Sequence, residues 1–198
     1  LNPRLRYYLV AHGIEVWRSF NAIERLALRG AARIFCVSNY TRHELLRNCP
    51  LPEERTVVLH NALDPAFEIE AGQPLDRCPP VILVVTRLTW ADRYKGVQHM
   101  MEAMPAIRAS VPGAHLRIVG RGDDLPRLRA LRSKLDLVGA IDFVGFIDDR
   151  CLAEEMRSCR LFALPSRKEG FGLVFLEAMA HGRPCLGGRA GGIPEVIT

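Results

Sequence analysis

Leu161-Phe162-Ala163-Leu164-Pro165-Ser166-Arg167-Lys168-Glu169-Gly170-Phe171-Gly172-Leu173-Val174-Phe175-Leu176-Glu177 decides how this chain is read. It opens on an apolar run, passes through a charged, Gly-bearing turn, and closes on an apolar stretch that ends in a carboxylate. The run 161–164 suits a buried strand, and the stretch from Gly172 to His181, closed by Gly182, suits a helix. The turn between them offers two things to a ligand. Backbone N–H groups at a helix start point at anions. The carboxylates of Glu169 and Glu177, eight positions apart, accept hydrogen bonds from hydroxyl groups.

The same alternation extends outward in both directions. Val81–Val85 is a continuous apolar run, as expected of a parallel strand covered on both faces. Val97, Met100, Met101, Met104, Ile107 and Val111 recur at three- and four-residue steps and predict an amphipathic helix with a Met-rich packing face. Pro105 lacks an N–H for the helical ladder and predicts a kink there. Strands are predicted at Leu116–Val119, Ile141–Val144 and Pro184–Leu186, with helices at 125–136 and 152–159. Earlier in the chain, strands at Tyr7–Val10, Arg33–Val37 and Thr56–Leu59 alternate with helices at 20–28 and from the cap Ser38 to Arg47. Pro and Gly punctuate residues 60–80. The fold class is therefore α/β with parallel sheets in two units, residues 1–75 and residues 76–198.

Composition fits a globular protein: of 198 residues, 48% are hydrophobic and 25% charged. No apolar run approaches the roughly 20 residues of a membrane span, and no secretory signal is visible. The chain starts with Leu1 and stops just after a helix-like Ile193-Pro194-Glu195-Val196-Ile197, so it reads as a fragment cut at both ends. The six cysteines show no C-x-x-C pair and no zinc-like spacing with His, so no metal is expected. They read as free thiols of a reducing cytoplasm. The net charge of +5 is all in the first fifty residues, which carry eight Arg against three Glu. This basic half either is a solvated surface or contacts an anionic substrate or the inner face of an anionic membrane. Nucleic acid is disfavoured, because the Arg residues are scattered and no recognition motif accompanies them.

In open parallel sheets, ligands bind beyond the carboxyl ends of the strands. The residues that follow the predicted strands are Arg87 and, further on, Lys95; Gly120-Arg121-Gly122; Phe146-Ile147-Asp148-Asp149; Lys168-Glu169; and Gly187-Gly188. Cations suited to phosphate and carboxylates suited to hydroxyls thus meet glycines that allow close backbone approach. Each is weak alone. Arg87 also reads as a surface arginine, and Glu177 as a helix-surface residue, although its apolar neighbours demand a partner or a ligand for it.

Taken together, this order resembles the GT-B fold retaining glycosyltransferases of family 4. Their E-x7-E signature matches Glu169 to Glu177, and their phosphate pair matches Arg87-Leu88 and Tyr94-Lys95-Gly96. Their interdomain segment resembles Val58-Leu59-His60-Asn61-Ala62-Leu63-Asp64 with Phe67, and their G-G-x-P-E element matches Gly191–Glu195. The match over residues 1–50, at Ala11-His12-Gly13-Ile14-Glu15 and Val37-Ser38-Asn39-Tyr40-Thr41, is looser.

The resemblance implies a Rossmann-like C-terminal domain that binds a nucleotide-sugar and lacks its last helices, preceded by the second half of an acceptor-side Rossmann-like domain and a linker. It implies hexose transfer from a UDP-, GDP- or ADP-sugar to an acceptor hydroxyl, with retention and without cofactor or metal. The acceptor is a carbohydrate or a lipid-linked group. By the resemblance, Arg87 and Lys95 neutralise the donor diphosphate and Glu177 holds the ribose. Glu169 and His12 act at the transferred sugar. The backbone of Gly170, Phe171, Gly172 and Leu173 meets sugar or phosphate, and Ile147 and Asp149 grip the base. His12 also reads as a structural histidine. Thr86 and Ala62 depart from the family's usual Gly, the second stiffening the hinge, and the fragment itself is expected to bind nucleotide poorly. A nucleotide-sugar epimerase of the same fold and a non-catalytic binding module are the competing readings. A phosphorylase would need a far larger chain.

Overall fold

A computed structural model describes residues 6–67, 69–70 and 72–197. Two parallel sheets organise them. The first holds β1 (Tyr8–Ala11), β2 (Arg33–Cys36) and β3 (Thr56–Val58), in that order. Helices α1 (Ala22–Gly30) and α2 (Asn39–Asn48) make its crossovers. Asn21 and Glu24 form a reciprocal capping box at the start of α1. As predicted, Ser38 caps α2, its hydroxyl accepting from the Thr41 amide at 3.0 Å.

The second sheet orders its strands β6-β5-β4-β7-β8, all parallel. The strands are β4 (Val81–Val85), β5 (His115–Val119), β6 (Ile141–Gly145), β7 (Leu161–Leu164) and β8 (Cys185–Gly187). Helices α3 (Val97–Ser110), α4 (Leu125–Lys134), α5 (Asp149–Ser158) and α6 (Leu173–Ala180) connect them. Leu83, Leu116, Ile118, Ile141 and Phe162 are sealed from water. Phe162 meets Phe175 of α6 edge to face, with ring centroids 5.4 Å apart. Truncating Phe162 to Ala would cost about 3–5 kcal/mol. The first sheet has a separate, smaller core around Ile34, Cys36 and Leu45.

Helix α3 buries the stripe of Met100, Met101 and Met104 and includes the exposed Pro105. Two details differ from the sequence reading. Val111, expected on that stripe, ends the helix and is 46% exposed. Helix α5 starts at Asp149, not at Leu152, because the Asp148 carboxylate caps it by accepting from the Cys151 amide at 2.8 Å. The six cysteines are free thiols, and burial pushes Cys36 to about 11 and Cys159 to about 12.

The order of the second sheet positions the site. The chain steps outward from β4 to β5 and β6, then returns to lay β7 on the other side of β4. Loops leaving β4 and β7 therefore diverge to opposite faces and open a crevice at the carboxyl ends of the strands. The segment linking the two sheets is anchored to the second. Gly72 N–H donates to the His181 carbonyl at 3.2 Å, and the Phe67 ring lies 5.4 Å from that of His181. The buried Arg183 guanidinium donates to the carbonyls of Gln73, Cys159 and His181.

Candidate functional site

The crevice between β4 and β7 brings together residues 74 positions apart in the chain. Lys95 ends the 3-10 turn Trp90–Lys95 that follows β4, and Glu169 lies in the turn after β7. Lys95 Nζ sits 2.5 Å from Glu169 Oε1, and both side chains are largely buried, at 16% and 12% exposed. Close backbone approach makes this possible: a Cβ on Gly96 would lie 2.5 Å from the Pro165 carbonyl oxygen, and its φ is +80°.

Arg87 joins the same group indirectly. Its Nε lies 3.1 Å from Asp92 Oδ2, and its side chain is 71% exposed. Asp92 is buried and accepts from the Thr89 hydroxyl at 2.8 Å and from the Tyr94 hydroxyl at 3.0 Å. Tyr94 in turn has the ammonium groups of Lys95 and Lys168 at 5.6 and 5.9 Å from its ring centre. Burial first, then the Asp92 hydrogen bond, push the Tyr94 phenol up to about 12. Neither Asp92 nor Tyr94 figured among the sequence-predicted site residues. The Thr89-x-x-Asp92 spacing, a capping-box pattern, is the signal that would have found the first.

The turn Glu169–Gly172 faces both sheets. A Cβ on Gly170 would fall 1.7 Å from the His12 carbonyl oxygen, so only glycine lets the β1 end pass here. This puts the His12 backbone beside Gly170, while the residue as a whole is exposed. Phe171 is buried and its ring lies 5.4 Å from that of His60. Gly172 precedes α6, and no side chain caps that helix. Its first N–H groups, including that of Leu173, have no side-chain acceptor.

Glu177 belongs to a different environment. It lies on α6 and lines a pocket of about 670 Å³ with Asp149, Arg157, His181 and the linker residue Phe67. Burial raises its carboxyl above the usual range; Asp149 adds to this and His181 opposes it. Asp149 is exposed in the first turn of α5. Ile147 is half-buried and packs against the large core. The structure thus joins Lys95 to Glu169, sets the His12 backbone beside Gly170 and holds Arg87 on Asp92, while Glu177 and Asp149 line one pocket.

A family profile described as glycosyl transferases group 1 matches residues 79–198, and one described as glycosyltransferase family 4 matches residues 2–67. This chain belongs to the group 1 glycosyl transferases. The group 1 chain is similar to an uncharacterized glycosyltransferase of Methanocaldococcus jannaschii, at 28% identity over 98% of this chain and 54% of the relative. It is 35% identical, over 94% of its length and 52% of the relative, to a GDP-mannose-dependent alpha-(1-6)-phosphatidylinositol monomannoside mannosyltransferase of Mycobacterium tuberculosis. The chain therefore spans about half the length of these relatives. Among solved structures it is similar to Anabaena HepE in complex with UDP and glucose, with a TM-score of 0.80, 22% identity, and 98% of this chain and 56% of that one covered. A sucrose-phosphate synthase from Thermosynechococcus elongatus gives 0.74, 24%, 98% and 53%. The fold is GT-B, as the resemblance to family 4 implied. Among the described residues, no helix is long and apolar enough to cross a membrane, and no group of three or more His, Cys, Asp or Glu is placed to hold a metal ion.

Proposed function

We propose that the protein carrying this chain transfers a hexose from a nucleoside-diphosphate sugar to an acceptor hydroxyl, with retention at the anomeric carbon. The Lys95–Glu169 pair carries this reading. It sets a cation for phosphate and a carboxylate for hydroxyls against each other in one crevice, beside an uncapped helix start. A diphosphate entering there would draw Lys95 from Glu169 and free the carboxylate for the sugar. Arg87, exposed and hinged on Asp92, can turn to the same phosphates.

In the reaction the bond from the anomeric carbon to the diphosphate oxygen breaks, and its electron pair leaves with the nucleoside diphosphate. Lys95, Arg87 and the N–H groups at the start of α6 stabilise that charge as it develops. The acceptor oxygen then attacks the same face of the oxocarbenium-like sugar and surrenders its proton to the departing phosphate oxygen. His12 and Glu169 border the sugar, Glu177 takes the ribose hydroxyls, and Asp149 and Ile147 meet the base. The two cations fill the role of a metal in other phosphate-leaving reactions, and no cofactor is required. The GDP-mannose-dependent relative favours a lipid-linked acceptor, and the basic first fifty residues suit an anionic membrane surface.

The test is a thermal-shift screen of the full-length protein with UDP-, GDP- and ADP-hexoses, followed by product analysis with acceptor. Stabilisation by one donor is expected, and Lys95→Ala should lower turnover on the order of 10²–10³-fold. Unchanged turnover and donor affinity in that variant would overturn the phosphate role. Release of an isomerised sugar without acceptor would make the protein an epimerase, and donor binding with no turnover a binding module.

A further inference from the structure

The Gly191-Gly192-Ile193-Pro194-Glu195 element ends in a carboxylate that the proposed reaction leaves unused. Glu195 closes a 3-10 turn (Ile193–Glu195) beyond β8, on the second sheet's side. The hydrogen bonds of its carboxylate, however, reach the other sheet's half or the linker. Oε2 accepts from the Asn39 backbone N–H at 2.8 Å and from the Asn39 side-chain amide at 2.9 Å. Oε1 accepts from the Tyr40 N–H at 2.9 Å, and His60 Nε2 lies 3.3 Å from Oε2. Asn39 and Tyr40 are the first two residues of α2, and the third N–H, that of Thr41, is taken by Ser38. A helix of one half is thus capped partly by its own serine and partly by a carboxylate 156 positions away. Burial works to raise the Glu195 carboxyl, and the amides of Asn39 and Tyr40 outweigh it, leaving it below the usual range.

These contacts surround one short turn. Gly192 N–H donates to the Glu169 carbonyl at 2.7 Å, and the Thr41 hydroxyl lies 3.5 Å from the Gly170 carbonyl. His60, held by Glu195, faces Phe171. Thr41 in the first turn of α2, His60 at the start of the linker and Gly192 of the Gly191–Glu195 element therefore all meet Glu169–Phe171. We infer that Glu195 is a positioning residue: it latches the two halves in the orientation seen here and, through Asn39, Tyr40 and His60, holds the Glu169–Gly172 turn against the end of β1. This rests on the reading of that turn as the contact to the transferred sugar.

The cations for the diphosphate, Arg87 and Lys95, lie wholly in the second half, so donor binding does not need the latch. The chemical step does, because His12 and Glu169 come from opposite halves. Loss of the latch is therefore a loss in the transition state more than in the ground state. The test compares the full-length wild type with Glu195→Ala and with Glu195→Gln, which keeps one acceptor and the side-chain shape. For Glu195→Ala we expect kcat to fall about tenfold or more, with donor KM within about twofold, and Glu195→Gln to recover part of the loss. Solution X-ray scattering with bound nucleoside diphosphate should show a larger radius of gyration for Glu195→Ala. That arm needs no turnover, so it decides the latch even if the protein proves not to be a transferase. Equal radii of gyration and equal kcat would overturn the inference. So would an Asn39→Ala, Glu195→Gln double variant whose two effects simply add, since coupled residues do not add. If Glu195→Ala fails to fold, that double-variant comparison decides alone.

Discussion

The turn after β7 and the face of α6 carry the two carboxylates of one short motif, yet they are built in opposite ways. At the turn, Glu169 is met by Lys95 at 2.5 Å, and the neighbouring Asp92 is met by Arg87, Thr89 and Tyr94. On α6, Glu177 is half-buried beside Asp149, another acid, and its carboxyl is raised by burial. One region is electrically complete without a ligand, and the other is not. Equal residues at a fixed spacing therefore need not play equal parts. Glu169 must give up a partner to bind, while Glu177 only has to gain one.

Breaking the complete region should cost most. Lys95→Met would leave the Glu169 carboxylate largely buried without its cation, and removing one member of such a pair costs about 3 kcal/mol or more. Denaturant unfolding should show this as a lower midpoint. Adding Glu169→Gln to Lys95→Met should recover most of the stability, because the stranded charge is gone, and none of the activity. A Lys95→Met protein as stable as wild type would mean that the pair contributes little to the turn, and the contrast with Glu177 would fail.

A smaller effect is expected one step away. Asp92→Asn keeps the shape but removes the charge that orients Arg87 and holds the Tyr94 phenol. A buried hydrogen-bonded charge of this kind contributes about 1.5–3 kcal/mol per bond to a charged group, and the exposed Arg87 adds little of it. We expect a loss of about 2 kcal/mol in unfolding. The Tyr94 phenol should also titrate below its value of about 12, followed by ultraviolet absorbance. If it titrates unchanged, burial alone sets it and the chain from Arg87 to Lys95 is not connected through Asp92.

Much of this was legible in the sequence. Val81–Val85 and Leu161–Leu164 stand where their apolar runs put them, because a strand covered on both faces has no polar phase to misread. Arg87, Lys95 and Glu169 were legible as residues following strands, since a parallel sheet presents all such loops on one edge. What the sequence hides is pairing. Nothing in a linear chain says that Lys95 and Glu169, assigned to phosphate and sugar, hold each other when no ligand is present. That depends on β7 lying beside β4. Asp148 as the cap of α5 was missed because the helix was read from its apolar periodicity, which starts a turn later. Glu195 was visible as part of a motif, but its donors on Asn39 and Tyr40 lie in the other half, beyond any local pattern.

The smallest effect, in Glu177→Gln, is the one that can reverse sign. An acid whose folded pKa stands above its unfolded value holds its proton more tightly in the folded state. Below the unfolded value both states are protonated, and the group has no effect on stability. As pH rises toward the folded value the unfolded chain ionises first, so stability falls across that window and stays lower above it. Glu177→Gln cannot ionise. It should therefore melt higher than wild type at neutral pH, and the two melting curves should merge below the ordinary carboxylate range. A nucleoside diphosphate whose ribose hydroxyls donate to Glu177 would supply the missing partner, so adding it should narrow or invert the neutral-pH gap. A variant less stable than wild type at neutral pH without ligand would show that Glu177 already has a partner on α5 or α6. In that case the two carboxylates would differ only in which cation or donor each has found.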